Sequence, residues 1–572
     1  MGFGRELLTR IMIRAMTLKG RLDLRDMHRN AEKARKVNDR LLFKILKKNQ
    51  NCLYGRQNHF DQIHTVEDFR RLVPMTTFSD YAPYIERMVQ NDEKGLITSL
   101  PLVGYAQSSG STGKRKYIPL TAPEVKVYTK YTVTRMLAAT DRYYRQKTGK
   151  GFRPGRGLFD GPTLEERLPN GLPCSNIADV AALRLGFLYP YIIGIPFRKL
   201  FTPAQIDFQY INSRFAFEDP NTLYMFGVFI KTFTELVHYW EVNWRTIVDD
   251  IEHGTISDLA HATPETKEKL MTVIKPNPQR AAELRREFEK GFDNTLLRRL
   301  WPHFAVACYI GTSSFTPFTK IARKTTGDIP LDFSIYGASE GLFAAVDELE
   351  SQEQLMLPDS CYYEFIPQDD ESKLLSIDQL EVGKDYEVVI TNQAGLYRYR
   401  FGDVIRVTGY RGQCPYIRFG YRKGQLLNVT GEKTSEEHMA AVVKKIGQAA
   451  GCALSNWAVA VDLDAHPCRY VLLVENDKGL DLREYTDLAE EALRQANIRY
   501  QIYAGIWIGP LRIVNQRPGT HQAWNEAQVT KGVSASQVKP VRILDTPEKE
   551  AFFLSRLVDQ ETFGNLLEGE NT

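Results

Sequence analysis

Residues 108–116 have the sequence SSGSTGKRK and lie between two apolar stretches. Gly110 and Gly113 allow the backbone to turn tightly and to approach an oxyanion closely, while the neighbouring serine and threonine residues donate hydroxyl and amide hydrogen bonds. Three consecutive cations, at positions 114–116, complete the segment. This composition predicts a phosphate-binding loop, and the alternative is a solvent-exposed Ser/Gly turn between two strands.

The order of residues in this loop excludes one common class of phosphate-binding loop. P-loop nucleoside triphosphatases have the pattern GxxxxGK[ST], which the segment lacks. The loop resembles instead the TSGTTGxPK loop of adenylate-forming enzymes, with Arg115 at the position where that loop usually has proline.

Length and composition indicate a globular protein with more than one domain. The chain has 572 residues, of which 43% are hydrophobic and 25% charged, and its formal net charge is +4. This balance does not indicate a nucleic-acid partner. The cysteines are odd in number and include no CxxC pair, which argues against a disulfide framework or a zinc site. We therefore expect a protein of a reducing compartment, the cytoplasm.

The N-terminal segment predicts neither a signal peptide nor a membrane span. Arg5, Arg10, Arg14 and Lys19 interrupt its apolar residues before an uncharged core can form. The spacing predicts a basic amphipathic helix with an apolar side, which consists of Leu7, Leu8, Ile11, Ile13 and Met16. We expect this side to pack on the body of the protein, and the alternative is a role at a membrane surface.

The coarse pattern of elements predicts an α/β protein with a large first domain and a smaller α+β second domain. Helical patterns cover residues 30–50, 123–144, 240–300, 436–450 and 482–495, and Thr65 is a candidate N-cap. Strand-like patterns cover residues 304–310, 329–336, 361–366, 386–391, 404–407, 415–419, 458–461, 469–474 and 502–508. We expect a short hinge at residues 421–424, and hence domains of residues 1–424 and 425–572.

A candidate metal ligand follows the strand pattern at residues 329–336. Residues 335–341 have the sequence IYGASEG, in which a turn presents Ser339 and Glu340. A carboxylate in this position can bind Mg²⁺, an ion that commonly joins one or two carboxylates to substrate phosphates. The alternative is that Glu340 is an ordinary surface acid.

A second candidate acid lies in residues 395–407, GLYRYRFGDVIRV. Gly402 permits a tight turn that presents Asp403 at a strand junction. The two oxygens of that carboxylate can accept hydrogen bonds from both hydroxyls of a ribose. The alternative is an exposed aspartate in a β-turn.

Two lysines in the last third of the chain are candidates for anion binding. Lys433 lies just before Thr434 and Ser435, either of which can N-cap the following helix. A cation near a helix N-terminus opposes the helix dipole, so the position of Lys433 favours a bound anion. Lys539 precedes Pro540 in a polar segment, and most lysines in such segments are only solvated.

Taken together, these motifs are similar to those of the Gretchen Hagen 3 family of acyl acid amido synthetases, a branch of the adenylate-forming superfamily. The motifs that carry the resemblance are SSGSTGKRK, YGASE, YRYRFGD, RKGQLLNVTGEKTSE and GVSASQVKPVR, and their order agrees from end to end. The chain departs from the family pattern at three positions: Glu432 replaces an aspartate, Ser435 replaces an acid and Val538 replaces a tyrosine. The resemblance therefore does not imply how the loop packs at Ser435 and Val538.

The resemblance implies a set of site residues and a C-terminal domain that swings over the N-terminal one. It implies an ATP site, with Mg²⁺ at Glu340, and catalytic roles for Glu340, Lys433 and Lys539. The residues implied to contact ATP are Ser108, Ser109, Gly110, Ser111, Thr112, Gly113, Lys116, Tyr336, Gly337, Ser339, Tyr362 and Asp403.

The activity that the resemblance implies is ATP-dependent amide synthesis. A carboxylic acid is adenylated with release of pyrophosphate, and an amine, generally an amino acid, then displaces AMP. The alternatives are an acyl-CoA or carrier-protein ligase of the same superfamily and a non-catalytic binding protein on this fold. We expect the acid pocket between residues 117 and 240. We expect Arg135 and Arg142 at the surface, and the alternative is that they contact a carboxylate. We also expect a monomer.

Overall fold

A computed structural model of the chain describes residues 3–109, 115–160, 166–175, 177–185, 188–195, 205–293, 295–311, 316–423, 425–452, 454, 456–475, 478–530, 541–544 and 546–558. The chain divides into two compact units. The larger unit consists of Met1–Ser108 and Lys116–Lys423, and the smaller one consists of Ser109–Arg115 and Gly424–Thr572. The predicted α/β fold class is confirmed, since helices and sheets are mixed along the whole chain.

The larger unit contains many helices. The helices before residue 424 are α1 Phe3–Glu32, α2 Ala34–Asn49, α3 Leu53–Gln57, α4 Val66–Leu72, α5 Phe78–Gln90, α6 Ala122–Thr129, α7 Arg135–Thr148, α8 Ile177–Leu185, α9 Tyr189–Ile192, α10 Phe208–Glu218, α11 Ile230–His253, α12 Pro264–Met271, α13 Pro278–Phe288, α14 Leu296–Leu300 and α15 Thr316–Thr326. A π-helical turn, Lys130–Thr134, joins α6 to α7. Thr65 caps α4 as predicted, because its hydroxyl accepts a hydrogen bond from the amide of Asp68 at 3.0 Å.

Three sheets lie in the part of the chain before residue 424. Their strands are β1 Leu102–Ser109, β2 Arg115–Thr121, β3 Arg156–Asp160, β4 Glu166–Arg167, β5 Pro173–Ser175, β6 Thr222–Phe229, β7 Val306–Ile310, β8 Leu331–Asp332, β9 Ile335–Ala338, β10 Gly341–Ala345, β11 Gln354–Met356, β12 Tyr362–Pro367, β13 Asp385–Thr391, β14 Tyr399–Arg411 and β15 Cys414–Arg422. The strand orders are β2-β1-β5-β4, β3-β6-β7-β8 and β12-β13-β14-β15-β11-β10-β9.

The sheet β3-β6-β7-β8 is parallel throughout. Leu158, Met225, Ala307 and Leu331 form a row of paired residues across it, and all four are buried. Apolar runs of this kind are typical of parallel strands covered on both faces. The carboxyl ends of these strands meet at one edge, which is where open α/β sheets bind ligands.

The seven-stranded sheet is antiparallel throughout, and it corrects one prediction. Gly402 does not form a tight turn. Pairing continues on both sides of it, from Arg400 with Val389 to Val404 with Glu387, so Gly402 lies in a β-bulge of β14. Its φ of +84° explains why the bulge requires glycine.

The smaller unit is an α+β arrangement. Its helices are α16 Glu436–Ala449, α17 Thr486–Ala496, α18 Ile498–Tyr503, α19 Thr520–Thr530 and α20 Pro547–Leu554, and its strands are β16 Gln425–Leu427, β17 Thr434–Ser435, β18 Trp457–Asp462, β19 Arg469–Glu475 and β20 Gly509–Gln516. Ser435 caps α16, as one of the two predicted caps, by accepting a hydrogen bond from the amide of His438 at 3.2 Å. In its three-stranded sheet, β19 lies between antiparallel β18 and parallel β20.

The predicted strand at residues 502–508 is wrong. Asn497 caps α18 by accepting hydrogen bonds from the amides of Arg499 and Tyr500, so the chain enters this region as a helix. Gly505, with φ of +84°, follows the helix, and the strand begins only at residue 509. The apolar residues of this segment therefore belong to a helix end and a turn, which a short apolar run cannot distinguish from a strand.

The helix predicted at the N-terminus is present as α1, but its packed side differs from the prediction. Ile13 is buried as expected, whereas Leu7, Leu8 and Ile11 are exposed by about half of their surface. A Cβ atom on Gly20 would lie 1.9 Å from the carbonyl oxygen of Thr134, so the approach of α1 to the π turn requires glycine. The geometry of this close approach, and not the density of apolar residues, determines which side is buried.

A buried ion pair corrects the prediction that Arg135 lies at the surface. Its guanidinium is fully buried and donates to Asp332 Oδ2 at 2.7 Å and to the carbonyl of Val346 at 3.2 Å. Arg142, seven residues later on α7, is half-buried and donates to the carbonyl of Asp347. The pair joins α7 to β8, so it connects two layers of the larger unit.

Among the described helices, none is long and apolar enough to cross a membrane.

We predict that Arg135→Ala lowers the free energy of unfolding by about 3–5 kcal/mol, because it leaves the Asp332 carboxylate buried and uncompensated. Urea unfolding followed by tryptophan fluorescence measures the loss. Arg142→Ala is the matched control on the same helix, with an expected cost of about 1 kcal/mol or less. Equal midpoints for the two variants would contradict a structural role for the buried pair.

Candidate active site

The described residues include only part of the predicted phosphate loop. Ser108 and Ser109 are the last two residues of β1, and β1 and β2 are neighbours in one sheet. Lys116, the second residue of β2, has its ammonium nitrogen 5.0 Å from the centre of the Phe78 ring. Residues 110–113 and Lys539 lie outside the described residues, and the predictions for them stay predictions.

The turn between β9 and β10 carries the predicted metal ligand. Tyr336 and Gly337 belong to β9, the strand at the edge of the seven-stranded sheet, and Ser339 and Glu340 form the turn. Gly337 is exposed and Ser339 is half-buried, whereas Glu340 is only 4% exposed. Glu340 is therefore not the ordinary surface acid that the sequence left open.

The surroundings of Glu340 leave one of its oxygens available. Asn392 donates a hydrogen bond to the backbone carbonyl of Glu340 at 2.8 Å, and the hydroxyl of Tyr399 donates to Oε1 at 3.3 Å. Oε2 is buried and has no hydrogen-bond partner among the described residues. An ionised oxygen in this condition costs free energy, which a cation or a donor on a bound molecule would recover.

The second predicted acid lies beside the first. Asp403 is 2% exposed, and its Oδ2 accepts a hydrogen bond from the hydroxyl of Tyr336 at 2.9 Å. Tyr336 is held by aromatic rings, with centroids 5.2 Å away for Phe343 and 5.7 Å for Phe419. Tyr336 and Glu340 lie four residues apart in the β9–β10 hairpin, and Asp403 on β14 is distant in sequence. Two hydrogen bonds, Tyr336 with Asp403 and Tyr399 with Glu340, join the hairpin to β14.

A charged network supports the bulge from which Asp403 projects. Glu387 on β13 is buried and accepts two hydrogen bonds from Arg400, each at 2.7 Å, and one from Lys423 at 2.9 Å. Burial alone would raise the pKa of Glu387, but these two cations hold it below its ordinary value. The amide of Lys423 also donates to the carbonyl of Gly402 at 2.8 Å. The network fixes the backbone on both sides of Asp403.

Two other predicted residues are Tyr362, in the larger unit, and Lys433, in the smaller unit. Tyr362, at the start of β12, is 1% exposed, and its ring contacts Phe69 edge-on at 5.8 Å. Lys433 belongs to the smaller unit, where its φ of +51° is unusual for a residue other than glycine. Its amide donates to Asn428 at 3.4 Å, and the preceding Glu432 is fully buried and bonded to the amides of residues 429 and 430.

An apolar cavity of about 110 Å³ lies at the carboxyl edge of the parallel sheet. Phe159, Phe226 and Ile310, at or near the ends of β3, β6 and β7, form part of its wall, and Thr132 of the π turn forms another part. Of the described residues that line it, none is charged. Most come from residues 117–240, the range in which the sequence predicts the acid pocket.

Sequence analysis missed three residues that contact or adjoin these sites. Tyr399 and Asn392 form hydrogen bonds with Glu340. The one sequence signal for Tyr399 is the alternation of aromatic and basic residues in GLYRYRFGD, which is typical of a strand with one face turned inward. Asp160, which follows Phe159 at the end of β3, is buried, and burial raises its pKa to about 7. Its Oδ2 accepts a hydrogen bond from Tyr309 at 3.3 Å. No local sequence pattern indicated that this acid is buried.

The described side chains offer no complete metal site of their own. No group of three or more His, Cys, Asp or Glu side chains within the described ranges is arranged to hold a metal ion. A Mg²⁺ ion at Glu340 would therefore take its other ligands from water and from a bound phosphate compound, as Mg²⁺ commonly does. The unpartnered oxygen of Glu340 fits that arrangement.

Three family models match most of the chain. They describe the GH3 family N-terminal domain, which matches residues 23–331, the GH3 family central domain, which matches residues 354–422, and the GH3 family C-terminal domain, which matches residues 436–548. Tyr362 and Asp403 lie within the central match.

Individual relatives are similar over nearly the full chain. An indole-3-acetic acid-amido synthetase, GH3.8 of Oryza sativa subsp. indica, is 27% identical over 91% of this chain and 90% of its own length. A jasmonoyl-L-amino acid synthetase, GH3.5 of Oryza sativa subsp. japonica, is 27% identical over 93% of this chain and 96% of its own. The solved structure of the GH3.15 acyl acid amido synthetase has the same fold, with a TM-score of 0.61 at 22% identity over 92% of this chain and 94% of that chain.

We predict that Glu340→Gln lowers ATP–pyrophosphate exchange about 10²-fold, because it removes the buried charge but keeps the shape of the side chain. The unfolding temperature of this variant should stay the same or rise, since a neutral amide costs less to bury than a carboxylate. Exchange of labelled pyrophosphate and thermal unfolding measure the two effects separately.

The matched control is Glu353→Gln, which alters an exposed carboxylate paired with Arg418 and should change neither quantity. A Glu340→Gln protein that exchanges pyrophosphate normally would exclude a role in the reaction. A large loss of stability would indicate that the carboxylate serves the fold.

Proposed function

Because the chain belongs to the GH3 family, we propose that it is an ATP-dependent acyl acid amido synthetase, a ligase that forms a carbon–nitrogen bond through an acyl-adenylate. The observation that carries the proposal is the pair of buried carboxylates, Glu340 and Asp403, which three strands bring together on the scaffold of this family. Glu340 has an oxygen without a partner among the described residues. A binding protein without catalytic activity has no need to retain that arrangement.

The reaction has two steps. In the first, a carboxylate oxygen of the acid attacks the α-phosphorus of ATP, and the bond from that phosphorus to the pyrophosphate oxygen breaks. In the second, an amine attacks the acyl carbon, loses a proton, and expels AMP. Neither step requires a nucleophilic side chain. The site residues therefore act by binding and orienting the substrates and by neutralising charge on the phosphate oxygens.

We assign the metal and ribose contacts to the two buried acids. Glu340 would hold Mg²⁺ through Oε2, which has no donor within the described ranges of the chain. When bound, Mg²⁺ would neutralise charge that develops on the phosphate oxygens. Asp403 would accept hydrogen bonds from the ribose hydroxyls, and the hydroxyl of Tyr336 would keep its carboxylate correctly oriented.

The remaining ATP contacts rest on the family resemblance. We assign adenine contacts to Tyr336, Gly337 and Tyr362, and a further ATP contact to Ser339. Phosphate contacts are assigned to the loop of Ser108, Ser109, Gly110, Ser111, Thr112 and Gly113, with Lys116.

We propose that residues 1–424 bind ATP and the acid, and that residues 425–572 form a mobile domain that supplies Lys433 and Lys539 to the reaction. The left-handed backbone at Lys433 supports this assignment, since strained residues often occur at functional positions.

The acid is proposed to have one carboxylate and an otherwise apolar body. The cavity at the ends of β3, β6 and β7 supports this class, because an additional charge there would be desolvated without a charged partner among the described lining residues. Aryl, indolyl and fatty acids satisfy this condition. The amine is proposed to be an amino acid, as the name of the rice jasmonoyl-L-amino acid synthetase states for that relative.

We propose that the enzyme works as a monomer in the cytoplasm. All seven of its cysteines are free thiols, and six of them are buried, which supports a reducing compartment. Light scattering of the purified protein tests the monomer, and a stable dimer would overturn it.

We predict that the protein, incubated with an accepted acid, ATP, Mg²⁺ and mixed amino acids, forms an N-acyl amino acid together with equal amounts of AMP and pyrophosphate. Mass spectrometry of the products measures all three. A screen of aryl, indolyl and fatty acids by pyrophosphate exchange first identifies the acid. Coenzyme A in place of the amino acids should give little product.

Two outcomes would contradict the proposal. Efficient thioester formation without any amide would indicate an acyl-CoA ligase, and no release of AMP or pyrophosphate with any acid would indicate a binding protein.

The variants Lys433→Ala and Lys539→Ala test the second domain in the same assay. We expect both to be slower, and Lys539→Ala to impair adenylation more than amide formation. Wild-type rates in both steps would remove these lysines from the site.

A further inference from the structure

Helix α1 presents an apolar surface to solvent. Five large side chains are exposed by about half, with values of 50% for Leu7, 46% for Leu8, 54% for Ile11, 58% for Leu18 and 56% for Leu22. At 3.6 residues per turn, these residues fall within an arc of about 100° on the helix. We call them the apolar stripe of α1. The stripe continues for four turns, so it is a surface and not a set of isolated exposed residues.

Cations border the apolar stripe on both sides. Arg10, Arg14 and Arg21 lie along one border and Arg5 and Lys19 along the other, as the helical spacing places them.

The acids of α1 offset only part of this charge, because the helix contains seven Lys and Arg residues and four acids. Glu6 pairs with Arg10, and Asp23 is buried beside Lys19. Asp26 pairs with Arg29 at 2.8 Å. The outward surface of α1 is therefore apolar at its centre and positive at its edges.

A groove of about 350 Å³ lies beside the stripe, between α1 and the end of α7. Three arginines line it, namely Arg14, Arg21 and Arg145. The one acid in its wall, Asp141, is 8% exposed and accepts hydrogen bonds from both Arg21 and Arg145. Because three arginines line the groove and two of them share its one carboxylate, the groove keeps a positive charge, which suits a phosphate group.

We propose that α1 docks in the plane of a bilayer that contains anionic phospholipids. The apolar stripe enters the boundary between head groups and acyl chains, and the bordering arginines bind lipid phosphates in and beside the groove. A helix with a polar border rich in Lys and Arg around leucines is the kind that lies in a membrane interface. The enzyme then works at a surface into which apolar carboxylic acids partition.

Charge complementarity favours lipid over a second copy of the chain. If two copies paired through the stripe, the cations that border one stripe would face those that border the other, and the acids of α1 are already engaged by cations. Anionic head groups instead neutralise the same charges.

The experiment is sedimentation of the full-length protein with vesicles of phosphatidylcholine alone or mixed with phosphatidylglycerol. We expect binding to the mixed vesicles at low salt, weaker binding at high salt and little binding to phosphatidylcholine alone. The double variant Leu18→Ser/Leu22→Ser should bind at least about 10-fold more weakly, because two leucines no longer enter the interface. Arg14→Glu should weaken binding to a similar extent.

The matched controls change residues of the same kind on other helices. Val242→Ser alters a residue of α11 that is 64% exposed, and Arg286→Glu alters an exposed arginine of α13; both should bind like the wild type. Circular dichroism confirms that every variant is folded. Because the assay contains neither ATP nor acid, its outcome does not depend on the proposed activity.

Three results would overturn the proposal. One is equal binding to vesicles with and without phosphatidylglycerol. Another is unchanged binding of the stripe variant. The third is a dimer that the stripe variant abolishes, without vesicle binding by the wild type, which would assign the stripe to self-association.

Discussion

The central constraint on the larger unit is the burial of the Glu340 carboxylate, only one of whose oxygens has a hydrogen-bond donor among the described residues. Removing a charged group from water is costly, and the cost is recovered only where donors or cations replace the lost water. Among the described residues, one donor reaches the side chain, the hydroxyl of Tyr399, and Asn392 holds the backbone of Glu340. The second oxygen has no donor among those residues, so its burial costs stability that a bound cation or donor would recover.

Strand β14 carries most of the support for this site. It begins with Tyr399, which contacts Glu340, and four residues later it presents Asp403, which contacts Tyr336. A regular strand would repeat its side-chain direction every two residues, but the bulge at Gly402 changes the local direction of the chain. The strand therefore positions Asp403 directly, and Glu340 through Tyr399, from one short stretch of sequence.

Local patterns predicted the elements whose stability is itself local. The helix cap at Thr65, the cap at Ser435 and the short apolar strands were visible because capping and alternation act between residues a few positions apart. The resemblance added Glu340 and Asp403 as site residues. Both acids are buried because of the fold, and no sequence motif indicates that burial.

Features that depend on distant partners could not be predicted. Arg135 is buried because Asp332, almost two hundred residues away, neutralises it, and a single sequence without aligned relatives gives no sign of that pairing. The conformation of residues 502–508 is determined by the cap of α18 at Asn497 and not by the apolar content of the segment. The exposed stripe of α1 arises because Gly20 sets the side of close approach.

The most direct test of the reaction follows the oxygen atoms of the acid. When both carboxylate oxygens carry oxygen-18, attack on the α-phosphorus transfers one of them to the phosphate of AMP, and the other stays in the amide carbonyl. Mass spectrometry of both products after a single turnover measures the transfer. The account predicts one labelled oxygen in AMP for each amide formed; unlabelled AMP, or label released in inorganic phosphate, would contradict it.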